Sequence, residues 1–171
     1  MRVNNDGQKR PEAARKWMVE EAGGIPSFCG AYTAGSTNWL PEDAELIRVA
    51  SDLDIIVVLA GQKQPGSQRK FMYHDILFEV SYLRQDQLQS PEQALSDYHL
   101  SPSLRTTKII FDPFGHLSPL RAVVSREYAR RRWVRRRCAG AKDKILAYLR
   151  LVSEDAALHD QVIACPFSRQ A

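Results

Sequence analysis

The apolar and polar positions of this chain follow two periods. From Asp54 to Leu59 the sequence DIIVVL is apolar and β-branched at consecutive positions, the pattern of a central strand covered on both faces. Between His74 and Leu83 the two kinds alternate, with Ile76, Phe78, Val80 and Tyr82 on one face and Asp75, Leu77, Glu79 and Ser81 on the other. That alternation predicts a strand. Ser27 to Ala34 reads as an earlier strand, Gly61 to Gln68 as a loop, and Thr106 to Phe111 as a last strand ended by the turn Asp112-Pro113-Phe114-Gly115.

Elsewhere the period is helical. Pro11 to Ala22 carries Ala13, Ala14, Trp17 and Met18 and stops at Gly23-Gly24. Ser90-Pro91-Glu92-Gln93 has a capping serine, proline at the first helical position and glutamine at N3, so a short helix begins there. After Ser118-Pro119 the pattern stays helical to the end, with Ile145, Leu146, Leu149 and Val152 as an apolar stripe and Ser153-Glu154-Asp155 capping a last helix. This order predicts an α+β domain with a short mixed sheet flanked by helices, followed by a helical C-terminal portion from about residue 118.

With 171 residues, 44% of them hydrophobic, the chain fits one domain with a substantial core. Cys29, Cys138 and Cys165 are widely spaced and form no C-x-x-C, which points to free thiols in a reducing compartment. The first residues lack the apolar core of a signal peptide, and no apolar run approaches the roughly 20 residues of a membrane span. A cytoplasmic protein with no membrane partner is expected. The net charge of +4 is unevenly placed: seven arginines lie between Arg126 and Arg137, whereas Glu42, Asp43, Glu45, Asp52 and Asp54 cluster earlier. Nucleotides and nucleic acids are both compatible with that balance.

The candidate chemistry lies in GSTNWLPEDAELIRVASDLDIIVVLA, residues 35–60. Asp52 and Asp54 flank Leu53 at a strand start, so both carboxylates project to one side while the leucine enters the core. Two close carboxylates repel unless a cation lies between them, and Mg²⁺ is bound by one or two carboxylates together with substrate phosphates. Glu79, on the polar face of the following strand, is the candidate third carboxylate for a site with two ions; Asp75 shares that face and is its alternative. Gly35 allows close backbone approach to an anion, and Ser36 offers an N–H and a hydroxyl to a triphosphate.

The combination of AGST, SDLDIIVVL and HDILFEVSYL resembles the nucleotidyltransferases of the polymerase β superfamily, in particular the antibiotic nucleotidyltransferase-like proteins, over about residues 27–115. The resemblance implies that Gly35 and Ser36 bind the triphosphate and that Asp52, Asp54 and Glu79 bind Mg²⁺ as the catalytic acids. It implies a catalytic domain over residues 1–117 and a helical segment over residues 118–171. The implied reaction moves an NMP, with AMP from ATP as the leading case, to a hydroxyl of a small-molecule acceptor and releases pyrophosphate. Thr37-Asn38 stands where smaller members often carry a basic pair, and the interval from Ser36 to Asp52 is long. A homodimer completing the acceptor pocket stays open.

Two other readings stand beside it. The run REYARRRWVRRR suits either an RNA-binding surface, with Tyr128 and Trp133 for stacking, or a solvated helix face with the tryptophan packed inward. A partner-dependent, non-catalytic nucleotidyltransferase-like module of antitoxin type is the alternative to an enzyme. His74, His99, His116 and His159 show no metal-ligand spacing.

Overall fold

A computed structural model describes residues 6–21, 24–25, 27–35, 38, 52–61 and 69–151. The elements in chain order are α1 (Asp6–Glu20), β1 (Phe28–Thr33), β2 (Leu53–Leu59), β3 (Arg69–Tyr73), β4 (Ile76–Arg84), a 3₁₀ turn (Gln85–Leu88), α2 (Pro91–Ser96), α3 (Leu100–Thr106), β5 (Ile109–Phe111), α4 (Leu117–Glu127) and α5 (Arg131–Leu151). The strands form one mixed sheet of order β3-β4-β2-β1-β5, so the α+β architecture with flanking helices is as the sequence predicts. Among the described residues no helix is long and apolar enough to cross a membrane.

β2 and β4 run parallel, and every other pairing is antiparallel. The sheet separates two cores. On one face Leu53, Ile55, Val57 and Leu59 of β2 and Phe78 and Val80 of β4 pack on Ala14, Trp17 and Met18 of α1. On the other, Tyr32 and Val58 meet Leu95, Leu104, Leu117, Leu120, Val124 and Trp133 from the later helices. Both faces of β2 are thus covered, which is why its sequence is apolar without alternation.

Three expectations need correction. The strand predicted from His74 begins at Ile76, and β3 precedes it as an additional outer strand. His74 and Asp75 form the two-residue hairpin turn between them, with φ of 45° and 61°. Such turns need left-handed residues and usually advertise themselves through Asn-Gly; His-Asp carries no such signal. The region after Ser96 holds α3, so β5 is only Ile109–Phe111.

The third correction concerns the arginine run. Helix α4 begins at Leu117 and is capped by Asp112, whose carboxylate accepts from the backbone N–H groups of His116, Leu117 and Ser118 at 2.9–3.1 Å. Ser118 donates its hydroxyl to the same carboxylate at 2.8 Å. The helix then breaks at Tyr128–Arg130 before α5 starts. The expected cap at Ser153 lies outside the described residues, while the stripe residues Ile145, Leu146 and Leu149 are exposed on α5.

Several of the seven arginines serve packing. Glu127, 7% exposed, is met by Arg130 at 2.9 Å, Arg132 at 3.2 Å and Arg126 at 3.5 Å. Arg137 is buried: it donates to the carbonyls of Leu95 at 3.0 Å and Tyr128 at 2.8 Å, and its guanidinium lies 4.1 Å over the Tyr128 ring. It therefore ties α5 to α2 and to the break after α4. Arg137→Met leaves these buried carbonyls without a donor and should lower unfolding free energy by about 2–4 kcal/mol, whereas Arg135→Ala, at an exposed position, should stay within about 0.5 kcal/mol. Urea denaturation of the two variants, read at unchanged slope, checks the contrast.

Candidate metal centre

The parallel register places Asp54 beside Glu79, and the hairpin register places Lys70 beside the same Glu79. Three neighbouring strands thus bring an acid, an acid and a cation into one row, with adjacent strands about 4.8 Å apart. Asp52 joins from just before β2. Its side chain falls on the same face as that of Asp54 because Leu53, between them, is buried against α1.

Asp52, Asp54 and Glu79 each offer a carboxylate oxygen, and these oxygens all lie within 4.8 Å of one another. The alternative acid, Asp75, sits on the hairpin turn and is not part of this cluster. Lys70 contacts Glu79 through Oε2 and Asp52 through Oδ2, the latter at 3.0 Å. Its side chain is 56% exposed, that of Asp52 29% and that of Glu79 15%. Sequence reasoning misses Lys70 as a site residue, since only the pairing of β3 with β4 puts it there.

Gly35 is fitted to this cluster. It follows the end of β1, where the Ala34 N–H donates to the Asp54 carbonyl at 2.9 Å, and it has φ of +75°. A Cβ at Gly35 would lie 1.7 Å from Asp54 Oδ2, so no other residue fits without displacing that carboxylate. The turn is held by Thr33 and Asn38: the Thr33 hydroxyl donates to the Asn38 side-chain oxygen at 2.6 Å, and the Asn38 amide donates back to the Thr33 carbonyl at 2.9 Å. Asn38 therefore has a structural task in the loop. Ser36 lies outside the described residues.

The charges are unbalanced, with three carboxylates against one ammonium. Burial, then the like charges of Asp52 and Glu79, push the Asp54 carboxyl up to about 6, partly offset by Lys70. Asp52 moves the opposite way, held below the usual carboxylate range chiefly by its hydrogen bond from Lys70. Burial and like charge thus work against the ionised form of Asp54, which a further cation beside it would favour. Three convergent carboxylate oxygens fit a hard divalent ion such as Mg²⁺.

A cleft of about 740 Å³ lined by Cys29, Val58, Gln85, His116, Leu117 and Leu120 lies elsewhere. Val58 is four residues beyond Asp54 on β2, roughly 13 Å along the strand, so the cleft and the acids occupy opposite ends of it.

The shift of Asp54 sets a pH dependence. An acid whose folded pKa is raised holds its proton in the native state while the unfolded chain has lost it, so stability falls as pH rises from 3.8 through about 6. Asp52 acts in a separate window, its contribution fading only as pH drops below the ordinary 3.8. Asp54→Asn, which mimics the protonated form, should raise the Tm at pH 7.5 and leave it nearly unchanged at pH 4. Scanning calorimetry without divalent ions reads both.

No protein-family model matches the chain, and no curated protein is similar to it in sequence. Among solved structures, the crystal structure of a nucleotidyltransferase-like protein from Exiguobacterium sibiricum 255-15 aligns with a TM-score of 0.51 at 15% identity. The alignment covers 82% of this chain and 45% of that one. The sheet and helices described above thus have the fold of a nucleotidyltransferase-like protein.

Proposed function

We propose that the protein is a Mg²⁺-dependent nucleotidyltransferase that moves an NMP, with AMP from ATP as the leading case, to a hydroxyl of a small-molecule acceptor and releases pyrophosphate. The observation that carries this reading is the convergence of Asp52, Asp54 and Glu79 on one another beside a glycine turn that has room for no side chain. Mg²⁺ is characteristically held by a few carboxylates and completed by substrate phosphates, and a partly exposed cluster at a sheet end suits that better than a closed cage. Bound ions would supply neutralisation of the charge that develops on the attacking and leaving oxygens.

The chain's own groups then have separable tasks. Asp54, flanked by Gly35 and Glu79, fixes the centre of the cluster. Asp52 extends it, and Glu79 either completes the ligand set or accepts the acceptor's proton. Gly35 and Ser36 take the triphosphate, and the hydrogen bonds between Thr33 and Asn38 tie the two sides of that segment together. In this reading residues 1–117 are the catalytic part and the segment from residue 118, which spans most of α4 and then α5, serves the acceptor side. A cytoplasmic location and a homodimer belong to the same reading.

The RNA-binding alternative is weakened by the aromatic side chains it needs. Trp133 is 4% exposed, with Arg132 and Arg136 lying 4.6 and 5.0 Å over its ring, and the Tyr128 ring is covered by Arg105 and Arg137. Neither ring offers a free face for base stacking.

Calorimetry with a nonhydrolysable ATP analogue should show binding with Mg²⁺ and none with EDTA, and Asp52→Ala should weaken it by about tenfold or more. Transfer from labelled ATP, once an acceptor is found, should fall on the order of a hundredfold in Asp54→Asn. Failure of the analogues of ATP, CTP, GTP and UTP alike to bind would overturn the proposal.

A further inference from the structure

We propose that Lys70 is a place-holding cation: its ammonium covers the carboxylate oxygens that a divalent ion needs, and on the ion's arrival it transfers to the phosphates of the incoming nucleotide. This rests on the function proposed above, and the measurements are chosen so that the two can fail separately.

Lys70 Nζ bridges the two outer acids, Asp52 and Glu79, directly. An ammonium and a doubly charged ion on the same oxygens would repel at short range, so occupancy by one opposes occupancy by the other. The acids do not pull equally. Lys70 donates to Asp52 at 3.0 Å and pairs with Glu79, while among the described residues its ion pairs do not include Asp54. One ammonium against three carboxylates leaves the cluster only partly neutralised, a state that keeps the site intact without satisfying it.

The location of Lys70 makes release feasible. β3 is an outer strand of the sheet, and the lysine is 56% exposed on a flexible four-carbon stem. Its backbone stays fixed by pairing with Glu79, so a displaced ammonium remains at the cluster's rim. A triphosphate bound with metal brings negative charge to that rim. Pairing with phosphate thus takes the place of pairing with carboxylate, and nucleotide and ion each favour the other's binding.

A permanent structural ion pair would behave differently. Lys70→Met would then leave both affinities unchanged or weaken both by loosening the strand. A place-holder gives opposite signs in two measurements on one variant. Binding of Mn²⁺ alone, followed by electron paramagnetic resonance, should tighten by about three- to tenfold in Lys70→Met because a competitor is gone. Binding of the Mn²⁺ complex of a nonhydrolysable ATP analogue, followed by calorimetry, should weaken by about tenfold because the phosphates have no ammonium to pair with. Lys70→Arg should recover most of the nucleotide binding, which separates removal of the cation from disturbance of β3. Affinities that move together, or do not move, overturn the proposal. Tighter Mn²⁺ binding by Lys70→Met with no nucleotide bound by either protein would keep the competition but sink both the transfer to phosphate and the nucleotidyltransferase reading. Absence of Mn²⁺ binding in both proteins would sink both proposals.

Discussion

The parallel alignment of β2 with β4 is the constraint on which the site depends. Because Asp54 and Glu79 are register partners, their side chains start side by side on one face, and their carboxylates come together despite the electrostatics that opposes it. A slip of one residue would turn Glu79 toward Trp17 and the α1 core and bring Phe78 or Val80 to the polar face. The register is fixed instead by the apolar residues that alternate with the acids. Burial of Leu53, Ile55, Phe78 and Val80 is thus what holds the charges together.

How far the sequence reveals this differs from element to element. β2 announces itself because it is covered on both faces, and the placement of Asp52 and Asp54 on one side follows from strand geometry alone. Glu79 can be placed on the polar face of its strand, yet its partner cannot be read, since pairing is a tertiary property. The same limit hides Lys70. Its strand, RKFMY, is short, begins with two cations and turns through His-Asp, so nothing local separates it from a loop. The choice between Glu79 and Asp75 as a cluster member depends on that unrecognised turn.

The arginine run shows how composition misleads about partners. Read along the chain, seven arginines in twelve positions suggest a surface for polyanions. In three dimensions Arg137 anchors a helix junction, Arg126, Arg130 and Arg132 gather on Glu127, and Arg132 and Arg136 cover Trp133. Much of the charge is engaged in joining α4 to α5 through a break that the helical pattern does not disclose. The break requires a cluster of cations because it buries a carboxylate, and a buried carboxylate needs partners.

A side chain at position 35 and the observed placement of the Asp54 carboxylate exclude one another, and that conflict reaches beyond this one molecule. While the aspartate holds its place, a side chain at position 35 would have to push its carboxylate aside. Were Asp54 replaced by a small residue, the atoms that exclude a Cβ would be gone, and the remaining objection to substitution would be the left-handed backbone, which asparagine or aspartate tolerates. The two positions should therefore drift as a pair. In descendants of this chain that abandon the acid, the glycine would be expected to follow, leaving a paired trace of lost chemistry in sequences whose fold is otherwise intact.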